Sequence, residues 1–293
     1  MFEGTYVAIV TPFKNGKVDE KALRVLIDYQ ISEGVDGIVP CGTTGESATL
    51  SHEEHDQVIR VAVDACKEKV LVLAGTGSNS TQEAIELTRN AQEAGADGSL
   101  QITPYYNKPS QEGLCQHFSS IAGNTDLPIV LYNVPSRTSV NMCPDTVARL
   151  NNIKNIVGIK EASGSLHSIS EIIDLCGKDF TVLSGDDALL FPILAVGGKG
   201  IISVTANVLP GKVAAICKAV ALGDLTKART LYYEMRDIND ILFIDTNPVP
   251  VKAALHLMGK VENEIRAPLV ALSSSHLKRV EEVMNKHGLL GAK

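Results

Sequence analysis

The sequence has no apolar run that approaches the ~20 residues of a membrane-spanning helix. Its first residues, Met1 to Thr5, have no basic segment followed by an apolar core, so no signal peptide is predicted and we expect a cytoplasmic location. Excess positive charge is also missing, since the net charge is −7. These absences argue against a membrane protein, and against nucleic acid or an anionic membrane surface as the main partner.

Clustered cysteines are absent as well. The chain has six cysteines at wide intervals, with no C-x-x-C pair and no Cys/His cluster. This pattern predicts reduced, mostly buried thiols, and it argues against a disulfide framework and against a zinc site. The cysteines are at positions 41, 66, 115, 143, 176 and 217.

No G-x-G-x-x-G sequence follows the first apolar run, which argues against an open sheet that binds a dinucleotide. What the chain contains is eight short apolar, β-branched runs separated by stretches of helical periodicity. Such repeats predict a parallel sheet, and eight strands close a barrel, so the predicted fold class is α/β, a (β/α)8 TIM barrel. The predicted strands begin at Thr5, Asp36, Val70, Gly98, Pro128, Asn155, Phe180 and Gly200.

Three of the predicted helices have recognisable starts. Capping serines precede them, at Ser51, Ser80 and Ser110.

After residue 209 the pattern becomes all helical, with predicted helices over 212–221, 225–242, 249–258 and 275–287. No linker or low-complexity tract intervenes. We therefore predict a catalytic barrel domain over 1–223 and a C-terminal helical appendage over 224–293 that packs on the barrel.

One lysine has an unusual position. Lys160 ends the apolar run that begins at Asn155, whereas Lys69, Lys154 and Lys199 precede theirs. In parallel barrels the strand exits form the active site. A desolvated lysine amine can act as a nucleophile toward a carbonyl. The alternative is a packed lysine stem whose head reaches solvent or pairs with Glu161.

The other strand exits carry hydroxyls, tyrosines and one arginine, but no histidine and no set of metal ligands. That inventory suits Schiff-base chemistry on a carboxylated carbonyl substrate, with a tyrosine relaying protons and an arginine holding a carboxylate. Each residue also has a structural alternative: Tyr132 as a core residue, Arg137 as a surface charge, and Gly42 and Gly45 as turn glycines.

Three motifs resemble the dihydrodipicolinate synthase family of the class I pyruvate-dependent aldolases and lyases. They are GTTGES over 42–47, YNVPSRT over 132–138 and GIKEA over 158–162. The resemblance extends from Thr5 to the C-terminal helices, including NPVPVK over 247–252. It implies a condensation of pyruvate with L-aspartate 4-semialdehyde in the pathway to diaminopimelate and lysine, with no cofactor and no metal.

The resemblance also implies roles for the catalytic residues. Lys160 would form a Schiff base with pyruvate, and Tyr132 would be the general acid/base. Thr43 would connect Tyr132 to Tyr106, which members of this family donate across a dimer interface. A homo-oligomer, as a dimer of dimers, is therefore expected.

The implied substrate contacts lie on four different strand exits. Thr44 would bind the pyruvate carboxylate, Ile202 would line the site through its backbone, and Gly185 would contact substrate. Arg137 would receive the carboxylate of the semialdehyde. Relatives that cleave sialic acid typically have a Gly-Ser-Thr-Gly-Glu first motif and lack the Ser-Arg-Thr after the tyrosine, so Thr43 and Arg137 favour the synthase.

A further set of residues matches the positions that bind L-lysine in feedback-inhibited members of the family. The match implies partial allosteric inhibition by L-lysine at a dimer interface. The alternative is a capped, solvated helix start with two surface histidines. The implied effector site consists of Ser47, Ala48, His52, His55, Asn79, Glu83 and Tyr105.

Three other functions compete with this interpretation. One is another pyruvate-dependent aldolase, such as a sugar-acid or sialic-acid lyase, against which Arg137 argues. The second is a non-catalytic 2-oxo-acid sensor on the same barrel, which would be expected to have lost the lysine or the tyrosine. The third is a structural protein that uses the barrel only as a scaffold, which no feature of the sequence supports.

Overall fold

Eight parallel strands close into a barrel in the computed structural model, which describes residues 1–291. The last two residues of the predicted region 224–293 lie outside the described residues. All eight predicted strands are confirmed. They are β1 (Gly4–Ala8), β2 (Gly37–Val39), β3 (Leu71–Gly75), β4 (Gly98–Ile102), β5 (Ile129–Asn133), β6 (Ile156–Glu161), β7 (Thr181–Ser184) and β8 (Gly200–Ser203).

Neighbouring strands pair in chain order, and β8 returns to β1 with Tyr6 opposite Ile202, which closes the barrel. A helix follows each strand, as expected for a (β/α)8 barrel. The serines at 51, 80 and 110 each accept a hydrogen bond from a backbone N–H in the first turn of the next helix. The eight helices are α1 (Glu20–Ser32), α2 (His52–Cys66), α3 (Thr81–Ala94), α4 (Gln111–Ala122), α5 (Pro144–Leu150), α6 (Leu166–Cys176), α7 (Leu190–Ala195) and α8 (Pro210–Ala221).

A Gly-x-Asp-Gly sequence occurs at two strand entrances, as GVDG over 34–37 and GADG over 95–98. The Asp36 carboxylate accepts a hydrogen bond from Thr5 N at 2.7 Å, and the Asp97 carboxylate accepts one from Val72 N at 2.7 Å. Each aspartate therefore ties the start of its own strand to a neighbouring strand.

The glycine that follows each aspartate makes room for an aromatic ring. A Cβ on Gly37 would lie 2.1 Å from Tyr6 Cε1, and one on Gly98 would lie 2.5 Å from Phe2 Cζ. Phe2 and Tyr6 pack edge to face, with ring centroids 6.0 Å apart, and both are fully buried. The two rings fill the entrance end of the barrel.

Side chains alternate along the strands between two cores. Leu73, Leu100, Val130 and Leu183 fill the barrel interior. Leu131 and Ile159 belong to the apolar layer between the strands and the helices. The interior cluster reaches Tyr132 and Val134, so the polar residues of the strand exits lie above a barrel filled with apolar side chains.

Beyond the barrel, the chain forms α9 (Leu225–Glu234), α10 (Arg236–Ile241), α11 (Val249–Leu257) and α12 (Ser274–Lys286). The prediction of one helix over 225–242 is wrong, because the helix is interrupted at Met235. Met235 is buried, and the break lets Asn239 of α10 accept a hydrogen bond from Thr205 Oγ1 at 2.8 Å. The polar contact with the barrel rim therefore overrides a continuous helical pattern.

A hairpin of two short strands, Phe13–Lys14 and Lys17–Val18, was not predicted. Arg266, in the irregular segment between α11 and α12, donates to Gly16 O in its turn at 2.9 Å and forms an ion pair with Glu54 of α2. The C-terminal region is thus fastened to the first third of the chain. Within residues 1–291, no helix has both the length and the apolar character needed to cross a membrane.

Candidate active site

Lys160 and Tyr132 lie side by side at the exits of β6 and β5. They are directly opposite each other in the strand register, and both face the barrel interior rather than the helices. Lys160 Nζ lies 4.2 Å from the centroid of the Tyr132 ring. The two side chains are only 6% and 7% exposed. A buried amine beside a tyrosine is the combination that carbonyl condensation and proton relay require.

The turn after β2 carries the two predicted threonines. Gly45 N donates to Gly42 O and Glu46 N donates to Thr43 O, which folds the turn tightly. Glu46 adopts a left-handed conformation with φ of 54°. Thr44 is buried, and its hydroxyl accepts a hydrogen bond from Asn247 Nδ2 at 3.0 Å. The threonines are therefore held from the barrel side and from the C-terminal region.

A buried ion pair fixes the end of this turn. Lys252 Nζ of α11 lies 2.6 Å from Glu46 Oε1, and neither side chain has appreciable exposure. Burial lowers the pKa of Lys252, and the adjacent Glu46 carboxylate opposes that shift. The second oxygen of Glu46 accepts a hydrogen bond from Arg266 N at 3.1 Å. Both carboxylate oxygens are thus satisfied by residues more than 200 positions away in the chain.

Lys160, Tyr132 and the two threonines line a cavity of about 460 Å³. Six of the predicted catalytic and substrate-binding residues line it, so the structure brings together what the strand exits suggested. Sequence reasoning missed four lining residues from the C-terminal region, which are Asn239, Asp240, Phe243 and Asn247. Of these four, only Asn247 could have been identified from the sequence, since it lies in the NPVPVK motif. The six predicted lining residues are Thr43, Thr44, Tyr132, Arg137, Lys160 and Gly185.

Arg137 lies on an exposed helical turn, Pro135–Thr138, at the rim of this cavity. One of its guanidinium nitrogens, Nη2, donates to Asn247 O at 3.2 Å. Gly185 lies against the lysine, because a Cβ there would be 3.0 Å from Lys160 Cε. Ile202 is buried in the interior cluster that contains Tyr132.

Tyr106 is not brought to the cavity of its own chain. Its side chain is 90% exposed, and its backbone is left-handed with φ of 69°. The preceding Tyr105 instead lines a second cavity of about 390 Å³. This second cavity shares Thr43 and Tyr132 with the first, and it is more apolar, with Leu100, Ile102, Pro248, Pro268 and Leu269 in its wall.

The predicted effector residues are partly assembled near the second cavity. Ser47 and Ala48 line it beside Tyr105, and Asn79 Nδ2 donates to Tyr105 O at 3.2 Å. His52 Nε2 lies 3.1 Å from the Glu83 carboxylate. The Ser78 hydroxyl, which donates to that carboxylate, lowers the pKa of Glu83, with a smaller contribution from His52.

The two histidines of α2 do not form a surface pair. His52 is exposed, whereas His55 is buried and its Nε2 lies 2.9 Å from Gly75 O. Burial lowers the pKa of His55. As for metals, the part of the chain that the structure describes contains no group of three or more His, Cys, Asp or Glu side chains placed to hold an ion.

Comparisons with known proteins find relatives over nearly the whole chain. The model of the dihydrodipicolinate synthetase family matches residues 1–287. A protein of Syntrophus aciditrophicus (strain SB) named 4-hydroxy-tetrahydrodipicolinate synthase is 57% identical over 99% of this chain and 100% of its own length.

Two solved structures are similar over nearly the whole chain. The dihydrodipicolinate synthase of Acinetobacter baumannii complexed with pyruvate has a TM-score of 0.97 and 44% identity, over 99% of this chain and 100% of that one. The corresponding protein of Cyanidioschyzon merolae with lysine bound has a TM-score of 0.96 and 41% identity, over 99% of each chain.

Proposed function

This chain belongs to the dihydrodipicolinate synthetase family and is an enzyme of the lyase class, and on that premise we propose that it condenses pyruvate with L-aspartate 4-semialdehyde. The product would be 4-hydroxy-tetrahydrodipicolinate, in the first committed step toward diaminopimelate and lysine. The observation that carries the proposal is the buried Lys160 amine beside the Tyr132 ring, 4.2 Å away, in a cavity at the strand exits.

In the first step, the neutral Lys160 amine attacks the ketone carbon of pyruvate. The carbinolamine then loses water to give an iminium ion, and the phenol of Tyr132 supplies and removes the protons. No cofactor is required, because the lysine itself forms the electron sink. The Thr44 hydroxyl, which is hydrogen bonded by Asn247, and the backbone of its turn would bind the pyruvate carboxylate.

In the second step, loss of a methyl proton converts the iminium to an enamine, which attacks the aldehyde carbon of the semialdehyde. Arg137 is exposed at the cavity rim, where its planar guanidinium can hold the incoming carboxylate with two hydrogen bonds. The proposal therefore assigns the carboxylate of pyruvate to Thr44 and its turn, and the carboxylate of the semialdehyde to Arg137.

The trapping of the covalent intermediate tests this proposal. Borohydride with pyruvate should attach a reduced pyruvyl group to a peptide that contains Lys160, and Lys160→Ala should abolish the attachment. The wild-type enzyme with both substrates should then make a product that dihydrodipicolinate reductase accepts. A labelled peptide without Lys160, or turnover of sugar acids in place of the semialdehyde, would contradict the assignment.

We propose further that the enzyme acts as a homo-oligomer, a dimer of dimers, in which Tyr106 completes the site of a neighbouring subunit. Its nearly full exposure in the single chain supports this, because a proton-relay tyrosine must be covered to function. Hybrids of Tyr106→Phe and Lys160→Ala subunits should regain partial activity, since one of their sites has both groups. No recovery after verified subunit exchange would count against the arrangement.

Feedback inhibition by L-lysine is the regulatory part of the proposal. Glu83 would pair with the α-ammonium group, while Asn79 and Tyr105 would bind the carboxylate, and the second cavity gives a short route from Tyr105 to Thr43 and Tyr132. We expect a coupling energy of about 1–3 kcal/mol. Glu83→Ala should abolish inhibition with little change in turnover without lysine. If millimolar lysine neither binds nor inhibits, regulation fails and the catalytic proposal stands.

The proposal treats residues 1–223 as the catalytic barrel and 224–293 as a helical region that packs on it. It also includes a cytoplasmic location. All six cysteines are free thiols in the structure, which supports a reducing compartment.

A further inference from the structure

Two polar residues immediately follow the two central residues of the site. Asn133 follows Tyr132 on β5, and Glu161 follows Lys160 on β6. In the strand register Tyr132 is opposite Lys160, and Asn133 is opposite Glu161. Because successive side chains point to opposite faces of a strand, the second pair lies directly behind the first, outside the barrel wall.

Asn133 is completely hydrogen bonded. Its Oδ1 accepts from Met142 N at 3.0 Å, which fixes the orientation of the amide. Its Nδ2 then donates to Glu161 Oε2 at 3.0 Å and to Asn141 Oδ1 at 2.9 Å. One buried side chain therefore joins the exit of β5, the exit of β6 and the segment that follows Arg137.

Of the two side chains, Glu161 is the one whose burial is expected to lower the stability of the fold. It is 1% exposed, and no Lys, Arg or His of residues 1–291 forms a salt bridge with it. Burial raises the pKa of its carboxyl group, against the opposing effect of hydrogen bonds from Ser163 and Asn133. Both oxygens face N–H donors, with Ser163 N 2.7 Å from Oε1. A buried carboxyl group without a cationic partner lowers stability, and groups of this kind are typical of sites where function outweighs stability.

We propose that Asn133 and Glu161 are positioning residues, whose mutual hydrogen bond behind the barrel wall holds Lys160 and Tyr132 at their working separation. The pair fixes the two strand exits against each other at the point where each strand leaves the sheet. Neither side chain touches the cavity, so both act through their neighbours in the chain. This inference rests on the proposed Schiff-base function of Lys160.

An exchange of donor and acceptor tests the pair directly. With the new amide oxygen kept on Ser163 N, Glu161→Gln alone places two amide N–H groups face to face, and Asn133→Asp alone places two carboxylates face to face. The double variant restores one donor opposite one acceptor and keeps the net charge. We expect each single variant to slow borohydride-trapped imine formation by about 10²-fold per folded molecule, as a misplacement of about 1 Å does. The double variant should return to within about tenfold of wild type.

The sequence offers a matched control at the other end of β6. Asn155 precedes that strand, and its Nδ2 donates to Ala122 O and Thr125 O at 3.0 Å. Asn155→Ala should lower the melting temperature yet leave the trapping rate and kcat of the folded enzyme near wild type. Asn133→Ala should lower both. This comparison remains informative where a like-charged single variant is recovered in too small an amount.

The outcomes separate this inference from the proposed function. If wild-type Lys160 is not trapped at all, the Schiff-base function is wrong. If wild type is trapped but the effects of the two single variants simply multiply in the double variant, the pair is uncoupled and the positioning role is wrong. Equal losses of trapping rate in Asn133→Ala and Asn155→Ala would likewise reduce the role to general stability.

Discussion

The two ends of the barrel use the same kind of contact for different results. At the entrances, Asp36 and Asp97 reach across to the backbone of neighbouring strands, and the space between them is filled by Phe2 and Tyr6. At the exits, Asn133 and Glu161 also connect strand to strand, but they lie behind a cavity that contains the Lys160 amine, which has no carboxylate partner among residues 1–291. The contacts at the entrance end therefore stabilise the fold. The exit end instead buries polar groups at a cost in stability, which places the reactive side chains.

The largest expected effect is at the exit end, in Lys160→Met. Activity should fall by about 10⁴-fold or more, because the nucleophile is lost. The melting temperature should stay the same or rise, because a buried amine with no carboxylate partner among residues 1–291 is replaced by an apolar side chain. Steady-state kinetics and thermal unfolding measure the two quantities. A large loss of stability would contradict the contrast between the ends.

The ion pair of Glu46 with Lys252 is where activity and stability should fall together. Lys252→Met leaves the Glu46 carboxylate buried without its cation, which should cost about 3–5 kcal/mol of unfolding free energy. Because Glu46 ends the turn that carries Thr43 and Thr44, KM for pyruvate should also rise. The double variant with Glu46→Gln should recover much of the stability in urea unfolding. No recovery would show that packing, rather than the stranded charge, is responsible.

A purely structural effect is expected at the entrance, in Gly98→Ala. The new methyl group would lie 2.5 Å from Phe2 Cζ and 3.0 Å from Pro128 O, so the ring or the strand must move. We expect a loss of about 1–3 kcal/mol in unfolding free energy with unchanged kcat for the folded enzyme. Gly123→Ala is the control, because its Cβ would meet nothing closer than 3.4 Å and its φ is −72°.

The smallest effect should come from the entrance carboxylates. Asp97→Ala removes the acceptor of the partly buried hydrogen bond from Val72 N, at a cost of about 1 kcal/mol. Asp97→Asn retains an acceptor oxygen and should lie close to wild type. Chemical denaturation distinguishes the two variants. A change in the pyruvate trapping rate of either one would mean that the two ends of the barrel are coupled.

Local sequence was sufficient for the barrel and for the centre of the site. Each strand is an apolar β-branched run bounded by turn residues, and a lysine directly after such a run is conspicuous. The adjacency of Tyr132 to Lys160 then follows from the order of neighbouring strands. The repeated aspartate–glycine at the entrances was visible too, although its purpose needed the positions of Tyr6 and Phe2.

The contributions of the C-terminal region could not be read locally. Asn247 and Lys252 act on a turn about 200 residues earlier, and no periodicity encodes such a contact. The strands of the hairpin over 13–18 are too short to show alternating apolar and polar residues, and Arg266 holds its turn. Met235 interrupts a helix without glycine or proline, because tertiary contacts decide there. Burial of His55 was missed for the same reason, since its partner is the backbone of Gly75.

The seam between β1 and β8 has a consequence for the synthesis of the protein. β1 emerges from the ribosome first, but one of its edges has no partner until Gly200–Ser203 has been translated. At 5–20 residues per second, about 10–40 s pass between the two strands. During this time β1 presents unpaired backbone groups, a template for association between nascent chains. In rapid overexpression, the yield of active enzyme would then depend on how fast chaperones cover this edge before nascent chains associate through it.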